Sequence, residues 1–560
     1  MGLAQAESDA SEQSDQESEI QWDNMSEVAM DEVEAGNFEI EQAAVPVLED
    51  GPALLPEPAP VETLLSLQEL LGEFQGGVYV VHRTWRTWMA RICIACLKVI
   101  NGDDAEQATK NMAAFLMLPG VMTAMRGRKS RTVVTFLRDV AAHAHPAECI
   151  LAEAHRLKAL QTHEARKWRA PTRIDLNKKL EARLFEGRVG AAKQVLDSMH
   201  ELENGAVFSE PMDLEEVKKK IGKLNPAARL DDTQPLWKTD IFPPPREGGD
   251  AAGLVLETKE IMTGIRRLPK DTCTGSSGWS NRAIMALLLA EEEVQTLVEE
   301  ITCLFNRSLS GAVADGVVAL WSIGRAALIP KPDGSWRPLG MGECWYRLMG
   351  RVIVQAYSEE VGERLAPLQL CVGVTAGCEI AARMAQLVGQ IKGVGEERMC
   401  LVQLDISNAF NEIPRGKVAL AVREYAPKLM RWFRSFYGKA TGLRTASGEL
   451  VGTSATGVRQ GDPMAMLLYA VGFQSVLVDI HECIERHQAV LGSELPVGTF
   501  GYADDTSVYM SNMVANAATG EILNLVRSAG LRVNVDKGVV LVHPLDEHTI
   551  NSQHMPVQVQ

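Results

Sequence analysis

Two carboxylate-bearing segments, far apart in the chain, constrain this protein more than any other feature. Cys400-Leu401-Val402-Gln403-Leu404-Asp405-Ile406 alternates as a strand does, so Cys400, Val402, Leu404 and Ile406 share one face and Gln403 and Asp405 the other. Asp405 thus falls near the end of a strand whose opposite face can be buried. The second segment, Thr499 to Tyr509, reads as strand, tight turn, strand, with Asp504 and Asp505 adjacent at its tip. A hairpin needs only one turn former, and adjacent carboxylates repel, so two there are costly unless a cation offsets them. Taken singly, each segment has an ordinary reading: a strand-end Asp capping the next turn, and an Asp-Asp turn. Together they offer three carboxylates that two divalent ions, roughly 3.5–4 Å apart, can bridge. Mg²⁺, with few protein carboxylates plus substrate phosphates, suits such a set, and Mn²⁺ can stand in for it.

A length of 560 residues exceeds one ordinary core and points to two to four structural units. Hydrophobic content of 46% with 23% charged residues is that of a globular protein. No uninterrupted apolar run reaches about 18 residues, so no membrane span is expected. The N-terminus lacks a basic segment followed by an apolar one, so secretion is not expected. Ten cysteines scattered singly are the usage of a reducing, intracellular protein. Cys93 and Cys96 form a CxxC, but inside an apolar stretch that reads as a buried helix with no second zinc-like pair nearby.

The net charge of −17 is unevenly spread. Residues 1–60 hold 16 Asp/Glu and no Lys or Arg, whereas Arg83 to His200 holds 21 Lys/Arg against 11 Asp/Glu. An acidic tail before a basic segment is a weak pointer to nucleic-acid contact, since a solvated charged face is commoner. The tail, ending in the Pro-rich run Pro52 to Pro60, is expected to be disordered. Helical spacing marks Tyr79–Val99, Gln107–Leu116, Arg131–His143 and Ala147–Leu160. The basic stretch Arg156 to Lys193, with Arg166, Lys167, Arg169, Lys178 and Lys179, is either a backbone-binding platform or a solvated face. Residues 224–250 are loop-like around Pro243–Pro245, and Ala286–Asn306 is an amphipathic helix with Leu287, Val294, Leu297, Ile301 and Leu304 in one stripe.

From about Leu268 to Leu541 the ordered motifs resemble a reverse transcriptase of the non-LTR retrotransposon type. Leu404-Asp405-Ile406-Ser407-Asn408-Ala409-Phe410-Asn411 resembles the first catalytic-Asp motif, Gly457-Val458-Arg459-Gln460-Gly461-Asp462-Pro463 the RQGDP segment, and Tyr502-Ala503-Asp504-Asp505 the YADD box. Ile329 to Pro338 looks like the fingers hairpin, Gly530 to Lys537 like the downstream Lys motif, and Gly275-Ser276-Ser277-Gly278-Trp279, more loosely, like the Gly-rich approach to the fingers. The resemblance implies template-directed attack of a primer 3′-hydroxyl on a deoxynucleoside triphosphate, with Asp405 and Asp504 as principal metal ligands and Asp505 as the third. It gives Lys331 and Arg337 a grip on the triphosphate, and Phe410 the place of a steric gate against a ribose 2′-hydroxyl. Gln460 and Gly461 then lie against the nucleotide or template, and Lys537 serves as general acid for pyrophosphate. Without the resemblance, Lys331, Arg337 and Lys537 read as surface charges, Phe410 as core and Gly461 as a turn.

The expected architecture is α+β, a right-hand polymerase with an antiparallel palm sheet flanked by helices from Pro414–Lys439 and Pro463–His487. The expected map is a disordered acidic tail (1–60), a basic helical region (65–200), fingers (205–395), a palm with the catalytic residues (396–545) and a loose tail (546–560). Partners implied are an RNA template, a DNA or RNA primer and deoxynucleoside triphosphates, with no membrane; oligomeric state is open. Only 23 residues follow Lys537, and no thumb is evident in them, so a truncated element, a core that needs a partner, or an inactive nucleic-acid-binding remnant is an alternative expectation. An RNA-templated RNA polymerase is a further one, opposed by Phe410. The resemblance suggests the nucleus, although no basic targeting cluster stands out.

Overall fold

The computed structural model describes residues 63–74, 81, 83–125, 130–160, 213–226, 253–542 and 558–559, without positions 271, 273, 332, 333, 389, 394, 396, 446 and 447. The acidic segment, most of the basic stretch after Arg156, Pro243–Pro245 and nearly all of the tail from 546 lie outside the described residues.

The alternating segment around Asp405 extends as strand β3 (Met399–Ser407). Cys400, Val402, Leu404 and Ile406 are buried in the main core, while Gln403 and Asp405 on the other face are only part-buried. Met399 and Leu401, on that other face, pack under Leu495 in a small separate cluster. Strands β1 (Gly324–Pro330) and β2 (Trp336–Met341) precede β3, and β4 (Thr441–Arg444) and β5 (Leu450–Ser454) follow it. Beyond them come β6 (Gly498–Tyr502), β7 (Asp505–Ser511), β8 (Arg532–Val533), β9 (Val539–Leu541) and β10 (Gln558–Val559). The larger sheet runs β10-β9-β3-β7-β6, antiparallel except between β9 and β10, and β8 pairs with the far end of β3. The smaller sheet runs β2-β1-β4-β5. Its β1–β4 pairing is parallel, so residues 441–454 join the β1–β2 hairpin rather than the sheet of Asp405.

Seven helices matter below: α1 (Arg83–Ile100), α2 (Ala105–Ala124), α3 (Cys344–Leu365), α4 (Arg415–Tyr425), α5 (Met430–Tyr437), α6 (Ala465–Leu491) and α7 (Ala515–Ser528). Helix α6 is long and apolar enough to cross a membrane by length and composition, but 72% of its most apolar window is buried inside the protein. It packs against α4, α7 and β6, which accounts for that composition. Cys93 and Cys96 both lie buried within α1, and burial pushes the Cys96 thiol up to about 12. The N-terminal helices share the main core through Phe115, Trp279 and Trp345, whose rings meet at 5.4–5.7 Å. The buried Trp279 Nε1 donates to the Phe115 carbonyl at 3.0 Å.

Three expected helices differ from the sequence reading. The stretch Ala286–Asn306 is two helices, Asn281–Leu287 and Val294–Leu309, because Glu291 adopts φ 52 at the start of a short turn of three glutamates. Pro414–Lys439 likewise breaks into α4 and α5. Pro427 has no N–H to donate and disfavours helix at Ala426, which sits at φ −137, ψ 51. The helix read over Gln107–Leu116 runs on to Ala124 through Pro119.

Candidate active site

Strands β3 and β7 pair in a register that sets Asp405 directly opposite Asp505. Opposed residues of an antiparallel pair project from the same face with Cβ atoms about 4.5–5.5 Å apart. Tyr502 pairs with Asp505, so Ala503 and Asp504 form a two-residue hairpin turn. Asp504 therefore occupies the turn and Asp505 begins the strand, rather than both sitting at the tip. Ala503 takes φ 59, the left-handed region that two-residue hairpins require and that costs a non-glycine residue roughly 1–2 kcal/mol.

The carboxylates feel each other. Burial chiefly raises the Asp504 pKa, its own backbone N–H opposes the rise, Asp505 and Asp405 add to it, and the Arg337 guanidinium partly offsets it. Asp505 is raised by burial and then by Asp405. Among the described residues no Lys or Arg forms an ion pair with any of the three. Three acidic oxygens donors, with no His or Cys, fit a hard, oxygen-ligated divalent cation of the Mg²⁺ type. Nothing else on these strands supplies the positive charge they lack.

The other singled-out residues differ in burial and in how they are tied to the surrounding strands. Beyond Asp405 the chain turns at Asn408 (φ 50), and Phe410 follows within a short helix, Ala409–Glu412. The Phe410 carbonyl accepts from Val458 N at 2.6 Å, and its ring stacks on Tyr469 with centroids 4.8 Å apart. Gly457 (φ 65) makes this approach feasible, because a Cβ there would lie 2.4 Å from the Phe410 carbonyl oxygen. Gln460 is half-buried, and its carbonyl accepts from Gly340 N at 2.8 Å, which ties the loop to the end of β2. Gly461 is exposed at φ 103, a conformation suited to glycine.

Lys331 and Arg337 flank the β1–β2 turn, and Arg337, in register with Ile329, is the member whose charge reaches Asp504. The segment Gly530–Lys537 is stitched to the acidic strand through Asn534 N, which donates to the Asp405 carbonyl at 2.8 Å. Lys537 is exposed in the turn after β8, and its N–H donates to the Asn534 carbonyl at 3.2 Å.

Sequence reasoning missed the brace behind the RQGDP segment. Arg459 and Asp462 are both buried. Arg459 donates from Nη1 to the Ser322 carbonyl (2.8 Å) and from Nη2 to Tyr346 Oη (2.9 Å) and Asp462 Oδ2 (3.2 Å). The hydroxyls of Tyr346 and Tyr437 donate to Asp462 Oδ2 at 2.7 and 2.6 Å, and Met464 N donates to Oδ1 at 2.9 Å. Arg415 adds a second brace, with Nε donating to the Gly457 carbonyl at 2.9 Å and Nη2 to the Ser454 carbonyl at 3.1 Å. The i,i+3 spacing of Arg459 and Asp462 was the available signal, but the tyrosines that complete the cluster lie on α3 and α5, far away in sequence.

Tyr469 was missed as well. It is wholly buried, its hydroxyl has no hydrogen-bond partner among the described residues, and its pKa is raised by burial first and then by Asp504, Cys371 and Asp505.

Residues 329–553 match the family model for reverse transcriptase (RNA-dependent DNA polymerase). Over 313 residues the chain is 24% identical to the retrotransposable element SLACS 132 kDa protein of Trypanosoma brucei gambiense, a match covering 54% of this chain and 24% of that relative. The chain therefore spans about a quarter of the length of the curated relative it matches. Residues 329–553 thus match the reverse transcriptase family, and the likeness is to its non-LTR retrotransposon type.

Proposed function

We propose that this chain is an RNA-directed DNA polymerase that adds deoxynucleotides to a DNA or RNA primer on an RNA template. The register that opposes Asp405 to Asp505, with Asp504 in the adjoining turn, carries this reading. In it the larger sheet is the palm, and the β1–β2 hairpin with the helices before it is the fingers.

Asp405, Asp504 and Asp505 hold two Mg²⁺ ions, with Asp405 and Asp504 as the principal ligands. When bound there, such ions would supply the positive charge that favours deprotonation of the primer 3′-hydroxyl and neutralises the triphosphate. The primer oxygen forms a bond to the α-phosphorus while the bond from that phosphorus to the bridging oxygen of pyrophosphate breaks. Arg337, already electrostatically coupled to Asp504, and Lys331 orient the triphosphate. Lys537 gives a proton to the departing pyrophosphate. Phe410, backed by Tyr469 and pinned through its carbonyl, stands under the sugar and excludes a 2′-hydroxyl. Gln460 and Gly461 line the nascent base pair. Positioning and charge neutralisation supply most of the acceleration.

Single-nucleotide incorporation by the full chain on an RNA template with Mg²⁺ tests this reading. Incorporation of deoxynucleotides in preference to ribonucleotides is expected. A ribonucleotide preference would indicate an RNA polymerase, and template binding without incorporation of either would indicate a nucleic-acid-binding remnant.

A further inference from the structure

Outside the acidic face, helices α6 and α7 bring together a second group of ligating side chains. Cys483 and His487 are four residues apart on α6 and so share one face of it. Glu521 on α7 lies opposite them. One ligand atom from each, Cys483 Sγ, a His487 ring nitrogen and a Glu521 carboxylate oxygen, all lie within 4.8 Å of one another. Ile480, Ile484, Ile522 and Leu523 on the two helices are buried.

We propose that Cys483, His487 and Glu521 form a single-ion site for a Zn²⁺-class divalent cation that clips α6 to α7, separate from the carboxylate site.

Ligand softness separates the two sites: thiolate with imidazole selects zinc-like ions, while three carboxylates select Mg²⁺. The two Glu521 oxygens are already divided. Oε1 accepts from Arg486 Nη2 at 3.0 Å, while Oε2 lies 3.0 Å from His487 Nε2 and is the oxygen turned toward the cluster. Arg486 is thus an outer partner that orients the carboxylate without occupying the ligating oxygen. Cys483 is fully buried, whereas His487 and Glu521 are half-buried, so a fourth position opens toward solvent and takes a water. Binding releases the Cys483 thiol proton to solvent, which makes affinity rise with pH. This inference does not depend on the polymerase reading.

The test is Co²⁺ titration of the full chain after chelation, followed by absorption, with Zn²⁺ competition and thermal unfolding in parallel. One equivalent should give a thiolate-to-cobalt charge-transfer band and four-coordinate ligand-field bands, both displaced by Zn²⁺, and Zn²⁺ should raise Tm. Cys483→Ser should abolish the charge-transfer band. Asp504→Asn and Cys93→Ser should leave it intact. Should Cys483→Ser fail to fold, Glu521→Gln and Arg486→Met at the half-exposed rim should each weaken Co²⁺ binding, the latter about 10–100-fold. Absence of any thiolate band in the wild type, or a band of equal affinity in Cys483→Ser or Glu521→Gln, would overturn the proposal.

Discussion

Two charged clusters, one buried and one at the strand ends that carry the carboxylates, are built on opposite terms. At Arg459 and Asp462 opposite charges meet, and Asp462 accepts from two tyrosine hydroxyls and a backbone N–H besides. At Asp405, Asp504 and Asp505 three like charges converge, the first two half-buried and the third exposed, with no ion pair among the described residues and pKa values raised for the latter two. Buried charge that is fully partnered reads as scaffold, whereas clustered like charge left mutually repulsive reads as a cation-binding set. The difference teaches where to expect function to fail and where to expect the fold to fail.

The sharpest contrast comes from removing one charge in each cluster. Asp504→Asn should lower single-nucleotide incorporation on the order of 10³-fold or more, with Tm unchanged or higher because repulsion is relieved. Asp462→Ala should instead cost about 3–5 kcal/mol of stability, read as a lower urea midpoint, by leaving Arg459 buried without its carboxylate. Equal stability losses in the two variants would erase the distinction.

Smaller effects sharpen the comparison. Phe410→Ala should reduce selection of deoxy- over ribonucleotides by about 10–200-fold, measured as the ratio of kcat/KM values, with little change in fold.

The carboxylates also predict the direction of a pH effect. Asp504 and Asp505 have folded pKa values above the unfolded value, so their protonated forms favour the folded state. Without divalent ions, their contribution to stability should be full below the ordinary carboxylate range. It should fall as pH rises through that range and past the raised values. Mg²⁺ should restore stability at neutral pH, and Asp504→Asn should flatten the dependence; thermal unfolding across pH with and without Mg²⁺ checks both. The smallest expected effect is Ala503→Gly, which removes the left-handed strain and should raise stability by about 1 kcal/mol in a urea titration.

Much of this site was legible in the chain. Period-two alternation placed Asp405 opposite a buried face, and the turn chemistry of Tyr502–Asp505 placed a hairpin, because both signals are local. The register that opposes Asp405 to Asp505 was not legible, since it is fixed by long-range pairing between β3 and β7. The same applies to Tyr346 and Tyr437 around Asp462, and to the parallel joining of β4 to β1, which no local pattern encodes. Helix breaks at Glu291 and Ala426 escaped because an apolar stripe can continue across an interruption, although Pro427 was a visible signal.

The central claim is that the three carboxylates act as one ion-binding unit, and a double-mutant cycle on incorporation tests it most directly. Mg²⁺-dependent addition of one deoxynucleotide should fall by nearly the same factor in Asp405→Asn, in Asp504→Asn and in the double variant, because losing one member disables the unit. Independent, multiplying losses, or incorporation equal to wild type in either single variant, would contradict it.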